Sequence, residues 1–423
     1  MANDFSKEEI VAFEETLEGF EDWLVLSKAM SKYSIGQVQQ ERTNDTIWRP
    51  MPYIMRAKDG ITQNDAAFGS VTQLSVPTSL GYHKVVPWEM SATELRDSVQ
   101  EGRIASAAQK ALASEINLAC GSVAANQGTI VVAQSGAATG FDDVAELDTK
   151  CNELGIPMDD RNLFLASREY NAMASNLAAR STMTGKPTTA YEKAIVGEVS
   201  SFTTHKLGYS PRLTAFAGTT VTVNGANQYY TPAATSTATT GETSNVDNRS
   251  QNLTIAVGGG TVKIGDAFTI AGVNEVHHIT KVDTGQLKTF RITDIVSGAG
   301  GSGVVKVSPA IVSNGGATDA EAQYQNVTAT PADGAAITFL NTTTANVNPF
   351  WYVDAFEVIG GSLVVPSGAG LSTMSGSTEN GIGLLMSKTA GINSLETKIR
   401  FDVTFGVVCK QPEMAGIQLF GQV

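Results

Sequence analysis

Between residues 222 and 345 apolar and polar residues alternate, and this period of two limits the fold more than any other feature. The alternating runs are NLTIAV (252–257), TVKIGDAFTIAGV (261–273), TFRITDIV (289–296), GVVKVSPAIV (303–312) and AAITFL (335–340). Short strands separated by Gly-rich turns predict a small barrel or sandwich. The run from Gly298 to Gly303 fits GxGxxG, but a strand follows it where a nucleotide-binding loop needs a helix, so it predicts a glycine turn.

The approach to this module is uncharged: residues 213–241 contain no Asp, Glu, Lys or Arg, and nine of them are Thr. Residues 219–223 alternate before Asn224-Gly225, which predicts a first strand and a turn. Residues 232–250 show no apolar periodicity. They are expected to form a long exposed loop, and loops of that length in compact domains are usually functional or disordered.

Helical and strand-like segments alternate on either side of the module. TIVV (129–132) and NLFLAS (162–167) predict strands, and the segments that follow them predict helices, the first ending at Gly155 before Pro157. The later runs NPFWYVDAFEVIGG and LETKIRFDVTFGVVCKQPEMAGIQLFG predict further strands of the same α+β unit. The β module is therefore interpreted as an insertion into an α+β body.

The first part of the chain predicts three projecting or extended elements. Residues 1–33 show helical apolar spacing on one face and, through Asp22, eight carboxylates against the single Lys7. This face is either a solvated surface or a docking arm for a basic partner. Residues 43–87 predict a long hairpin whose Pro50 and Pro52 favour an arm outside the core. Ser91 to Glu94 has the form of a capping box and predicts a long Ala-rich helix that ends near Asn126.

Composition excludes several classes of function. A formal net charge of −13 and a pI near 4.8 argue against sequence-specific nucleic-acid binding. Three separated cysteines do not form a disulfide framework and fit a reducing compartment. The N-terminus lacks a signal-peptide pattern, and no run approaches the roughly 20 apolar residues of a membrane span. No membrane association is expected.

No motif indicates catalysis. The TGKPT run (184–188) fails as a phosphate-binding loop because Arg180 stands where the first glycine belongs. Adjacent His277 and His278 would face opposite sides of a strand and could not share one ion. The sequence therefore predicts no catalytic, cofactor-binding or metal site, and no enzyme.

The order of these elements resembles the major coat proteins of enterobacterial short-tailed phages, which share the Hong Kong 97-type capsid fold. The stretches that carry the resemblance run in order along the chain: NDTIW (44–48) with Pro50, LRD (95–97), RIASAA (103–108), PMDDR (157–161), NVDNR (245–249), GD (265–266) through Phe268 to AGV (271–273), FGV (405–407) and PE (412–413). The resemblance implies an N-terminal arm, an extended hairpin, a long spine helix, an α+β body and an inserted small β-barrel domain. The implied domains are 1–33 (arm), 34–90 (hairpin and flanking strands), 91–127 (spine helix), 128–221 and 346–423 (body), and 222–345 (inserted barrel).

The resemblance also implies roles for particular residues. Residues 51–76 would overlap a neighbouring subunit within a capsomer, with Arg56, Lys58, Asp59 and Asp65 as hairpin contacts. Residues 233–250 would form an intercapsomer loop that uses Asn245, Asp247, Asn248 and Arg249. By position, Glu14, Glu15 and Glu18 would hold the basic end of an internal scaffolding protein.

The function implied is a major capsid protein that assembles with scaffolding protein into the hexamers and pentamers of an icosahedral procapsid. A portal protein is a further implied partner, and double-stranded DNA would be enclosed without specific contacts. Assembly in the host cytoplasm and a final place in the virion shell follow from that role. The alternative is a β-rich surface-binding protein of a phage particle, with a glycan hydrolase as a distant third.

Overall fold

The fold is taken from a computed structural model of the chain. The structure describes residues 10, 13–14, 17, 24–34, 46–55, 57, 60, 69–91, 98–179, 193–194, 196–361, 363, 372–378, 381–391 and 396–422. The chain divides into two compact units, the first comprising Met1–Ile47, Pro77–Val123 and Phe356–Val408, and the second Trp48–Val76, Ala124–Ala355 and Cys409–Val423. Both helices and sheets are present, which confirms the predicted α+β class.

Twenty-four strands are described. In chain order they are β1 (Ser31–Ser34), β2 (Ile47–Pro50), β3 (Ser75–Thr78), β4 (Tyr82–Ser91), β5 (Ile130–Ala133), β6 (Arg161–Ala166), β7 (Glu198–Val199), β8 (Phe202–Leu207), β9 (Arg212–Leu213), β10 (Val221–Val223), β11 (Thr235–Thr237), β12 (Thr243–Asn245), β13 (Gln251–Val257), β14 (Ala267–Val276), β15 (Asp283–Ile295), β16 (Gly303–Ser308), β17 (Ala336–Phe339), β18 (Ala345–Asn346), β19 (Asn348–Tyr352), β20 (Phe356–Gly360), β21 (Ser372–Ser377), β22 (Gly383–Gly391), β23 (Glu396–Cys409) and β24 (Ala415–Leu419).

Helices are fewer in the described residues. Those whose bounds are described are α1 (Val25–Lys28), α2 (Ser98–Gln127), α3 (Phe141–Leu154), α4 (Ser167–Ala178) and α5 (Asp319–Tyr324), with single 3-10 turns at Gly298–Gly300, Val353–Ala355 and Pro412–Met414.

The first unit is built on one sheet in the order β1-β20-β23-β22-β21, with β4 also paired to β23. The β4 and β23 strands run antiparallel from Tyr82 opposite Phe405 to Ser91 opposite Glu396. The prediction of a helix cap at Ser91 is therefore wrong, because this residue ends a strand. Its partner Glu396 lies some 300 positions away in the sequence, so a local motif cannot predict this pairing.

The long helix α2 carries the narrow Ala-rich face expected from its sequence. Ala113, Ile116 and Cys120 are fully buried along it. Leu26, in α1, donates its backbone N–H to Asn117 Oδ1 at 3.3 Å. The helix ends at Gln127, close to the predicted end.

The second unit contains a mixed sheet in the order β5-β24-β19-β6-β8-β7. Apolar residues of α3 and α4, among them Leu147 and Met173, pack against it. Asp143 caps α3, since its Oδ2 accepts the Gly140 N–H at 2.9 Å. Gly155 ends the helix as predicted, with a φ of 80° that favours glycine.

Arg161, the last residue of the PMDDR stretch, fixes the loop that leads from α3 into β6. Its side chain is 1% exposed. The guanidinium donates to Pro157 O at 2.6 Å and to Asp148 Oδ1 at 2.7 Å. A buried cation held in this way orders the loop, which is a structural role.

A closed barrel in the order β10-β13-β16-β15-β14-β17 follows in the same unit. Alternate residues of its strands point inward and are buried, for example Leu253 with Ile255 and Val305 with Val307. The predicted period of two and the barrel are confirmed. One predicted strand starts late: β14 begins at Ala267, because Asp266 Oδ2 accepts the Lys263 N–H at 2.8 Å and makes a turn of residues 263–266.

Polar side chains join the barrel to helix α3, to the turn at Pro412–Met414 and to the end of α2. Arg291 donates to the Ala125 and Gly128 carbonyls at 3.0 and 3.3 Å, and burial lowers its pKa to about 10. Lys288 pairs with Glu413 at 2.8 Å, and Lys150 with Glu275 at 2.6 Å. The short pair β9 and β18 brings the chain into and out of the barrel side by side.

Candidate assembly surfaces

The base of the extended hairpin is ordered. Strands β2 and β3 pair, and Met51 N donates to Leu74 O at 2.8 Å. Residues 69–75, which we call the return segment, then run along helix α5 of the barrel module. Ser70 N donates to Asp319 Oδ2 at 3.0 Å, and Thr72 N donates to Gln323 Oε1 at 3.1 Å.

Further contacts complete this attachment, and Asp319, Gln323 and Tyr324 together form what we call the latch. Tyr324 Oη donates to Thr72 O at 2.7 Å. Leu74, Val312 and Tyr324 form a buried apolar cluster beside these bonds. A Cβ at Gly69 would lie 2.8 Å from Asp319 Oδ1, so a larger residue there would require the Asp319 side chain to move. The predicted contact residues Arg56, Lys58, Asp59 and Asp65 lie outside the described residues.

Residues 232–250 are more regular than the predicted loop. Strands β11 and β12 pair from Thr235 opposite Asn245 to Thr237 opposite Thr243, and we call residues 235–245 the barrel hairpin. All six strand residues are exposed. Gly241, with a φ of 88°, lies in the turn. The barrel hairpin is therefore a two-stranded ribbon whose strand residues are small and polar. The sequence did not predict these strands, because they lack apolar alternation.

Asn248 holds the base of the barrel hairpin. Its Oδ1 accepts the Tyr230 O–H and the Ala233 N–H, both at 3.0 Å. Its Nδ2 donates to the Ala233 and Val246 carbonyls at 2.9 Å. The Asn248 side-chain amide thus connects the two segments that lead into and out of the barrel hairpin.

Asp247 and Arg249 pair with each other within the chain. The guanidinium donates to both carboxylate oxygens at 2.8 and 2.7 Å, and its Nη1 also donates to Cys409 O at 2.8 Å. Burial alone would raise the pKa of Asp247, but hydrogen bonds and charge from Arg249 outweigh it and hold that pKa below its ordinary value. Asn245, by contrast, is exposed at the end of β12. An intersubunit role for these residues stays a prediction.

The acidic arm is described at four positions, 10, 13, 14 and 17, all helical. Phe13 is buried against Phe401, with ring centroids 6.4 Å apart. Glu14 is exposed, as the amphipathic pattern requires. The other two predicted scaffold contacts, Glu15 and Glu18, lie outside the described residues.

Cys120, Cys151 and Cys409 are buried, and burial raises the pKa of each thiol to about 12. Among the described residues no three His, Cys, Asp or Glu side chains are placed to hold a metal ion. No helix within the described ranges is long and apolar enough to span a membrane.

Comparison with known proteins identifies the family. Residues 1–421 match the model of the P22 coat protein family, described as "P22 coat protein - gene protein 5". The chain belongs to this family. It is a major coat protein of a tailed phage, a structural protein that forms capsid shells, and its place is the shell of the virion.

Solved capsid structures resemble this coat protein. The "CUS-3 coat protein I-domain" is 43% identical over 29% of this chain and 96% of that one, with a TM-score of 0.23. A structure from Mycobacterium phage Che8 is 8% identical over 93% of this chain and 90% of that one, with a TM-score of 0.42. The capsid of Cyanophage P-SCSP1u is 11% identical over 92% and 85%, with a TM-score of 0.43. The predicted fold class, an α+β capsid fold that carries a barrel, is confirmed, whereas an enterobacterial host stays a prediction.

Proposed function

We propose that this coat protein assembles, with an internal scaffolding protein, into hexamers and pentamers of an icosahedral procapsid that matures around double-stranded DNA. Assembly takes place in the host cytoplasm, and a portal protein is a further partner. The capsid family carries the shell-forming part of this proposal, and the projecting segments of the subunit support the rest.

The exposed barrel hairpin is the main observation in support of the proposed contact between subunits. Its six strand residues are exposed and none is charged. Two-stranded ribbons are marginally stable alone in water, so an exposed one gains from contact with another surface. Its base is held by Asn248 and by the Asp247–Arg249 pair, which presents the ribbon in one orientation. A short polar ribbon with a rigid base suits many modest contacts between subunits.

The N-terminal arm supports the scaffolding contact. Phe13 faces the sheet of the first unit while Glu14 faces solvent, so the acidic face is available to a basic partner. Reversing the charge at Glu14, Glu15 and Glu18 should lower scaffold retention in purified procapsids and leave the unfolding transition of the subunit unchanged. Retention equal to that of the unaltered protein would remove the arm from the proposal.

Net charge supports enclosure of DNA without specific contacts. A subunit with a formal charge of −13 repels a phosphate backbone on average, which leaves packaged DNA free to move against the wall.

Electron microscopy of the purified subunit, alone and with scaffolding protein, tests the proposal as a whole. Closed icosahedral particles that appear with the scaffold are expected. Stable monomers in both samples would contradict it, and glycan binding by those monomers would favour the surface-binding alternative.

A further inference from the structure

A cavity of about 440 Å³ lies in the second unit, under the first residues of the extended hairpin. Residues 51–55 form one wall, His278, Ile279, Lys281, Pro309, Ala310 and Val312 form others, and the turn at 411–414 forms a further side. Pockets of about 300–1,000 Å³ hold ligands of drug-like size. The volume therefore admits a molecule of two fused rings.

The walls are mainly apolar. Met51, Ile54, Leu74, Val312 and Met414 all contribute to them. Apolar cavities of this kind accept apolar rings and offer few partners to water.

The charged groups of the lining are already engaged or face solvent. Arg249 pairs with Asp247, and Lys281 Nζ donates to Gln325 O at 2.9 Å. Glu413 accepts from Lys288 and Asn326 at 2.8 and 2.9 Å. The remaining charged residue, Asp354, is exposed. The site therefore does not select a charged ligand.

Gln411 and His278 are polar residues of the lining that suit an uncharged partner. Gln411 Oε1 is buried, and no described residue donates a hydrogen bond to it. Buried acceptors are normally satisfied, so this one calls for a donor. His278 also lines the cavity, and burial lowers its pKa to about 4, which leaves a neutral imidazole at physiological pH.

We propose that this cavity is a binding site for an uncharged aromatic molecule that carries one hydrogen-bond donor. Gln411 Oε1 accepts the hydrogen bond from this donor. The ligand contacts the hairpin base and the barrel together. Because Met51 and Leu74 pair beside it, occupancy stabilises the attachment of the hairpin to its own subunit.

Fluorescence titration of the folded full-length subunit with 2-naphthol, and thermal-shift titration with naphthalene, test the site. The two probes differ only in the hydroxyl donor. Saturable binding of both is expected, with 2-naphthol favoured by about fivefold, the size of one modest hydrogen bond. Gln411→Leu should remove this preference and retain naphthalene binding.

Filled and control variants complete the experiment. Ala310→Phe should abolish binding of both probes by occupying the space, and Met414→Trp serves the same purpose should the first variant fail to fold. Gln134→Leu is the matched control, because Gln134 Oε1 is also a buried acceptor without a described donor but does not line the cavity. Absence of saturable binding, binding unchanged in the filled variant, or a preference that survives Gln411→Leu would each overturn the proposal.

Discussion

The subunit holds the base of the extended hairpin and the barrel hairpin in different ways. The return segment of the extended hairpin is bonded along its length to the latch residues Asp319, Gln323 and Tyr324. In the part of the chain that the structure describes, the barrel hairpin is held at its base, by Asn248 and the Asp247–Arg249 pair. The comparison indicates that the barrel module has two roles: its side chains hold the return segment, and it presents its own hairpin as an exposed ribbon.

The largest expected effect follows from removing the ribbon. Replacing residues 235–245 by a short Gly-Ser linker keeps Asn248 and its bonds in place. Because the removed strand residues are exposed, the free energy of unfolding should change by less than about 0.5 kcal/mol. Electron microscopy should then show tubes, aberrant particles or no particles. Normal, equally robust shells would refute an intersubunit role for the barrel hairpin.

The base of the ribbon should be sensitive to a single substitution. Asn248→Ala removes four hydrogen bonds and leaves partner groups unsatisfied, which should cost roughly 1–3 kcal/mol of unfolding free energy. Urea unfolding followed by circular dichroism measures this loss. Asn245→Ala is the control, since Asn245 is exposed and its loss should be nearly neutral. Equal effects of the two substitutions would mean that the base is not held as described.

The latch predicts a smaller and more local effect. Asp319→Ala combined with Gln323→Ala removes the acceptors of the Ser70 and Thr72 N–H groups. Amide exchange at Ser70 and Thr72 should accelerate by about fivefold or more, because each bond contributes about 1 kcal/mol. Asp333→Ala provides a control on the same barrel, where Asp333 accepts only the Gly225 N–H at 2.7 Å among the described bonds. Exchange rates unaffected by the double substitution would show that the return segment is held by other contacts.

The smallest effect concerns acid. Arg249 holds the pKa of Asp247 below its ordinary value near 3.8, so the pair's contribution is fully present above that pH and is lost as the pH falls through the lower native pKa. The unaltered protein should therefore keep its advantage over Asp247→Asn, about 1 kcal/mol or less, from pH 7 to pH 4, and lose it below. Urea unfolding at pH 7, 4 and 3 measures the difference. A constant difference across this range would contradict the pairing.

The elements that were predicted correctly are those whose signals are local. The inward alternation of Leu253 and Ile255 and the stop at Gly155 depend on neighbouring residues, so the barrel and α3 are legible in the sequence. The predicted start of α2 at Ser91 is wrong, because Ser91 pairs with Glu396 in a strand. A capping motif reports only a local preference for a helix start. At Ser91, pairing with a strand that is distant in the sequence decides the structure instead.

The candidate surfaces were less predictable for the same reason. The sequence predicted that the segment containing Asn248 is a candidate contact site, but it did not predict the two strands there, because their small polar residues show no apolar alternation. The latch was not foreseen at all: Ser70 and Asp319 are 249 positions apart, and no local pattern links them. Thr318, which accepts the Glu321 N–H at 3.2 Å, was the one local sign of helix α5.

A cryo-electron microscopy map of the assembled shell tests the central claim most directly. The account predicts that residues 235–245 and the part of the extended hairpin beyond the latch lie on adjacent subunits in every capsomer. A map in which both segments fold back onto their own polypeptide, with the shell closed by other surfaces, would contradict it.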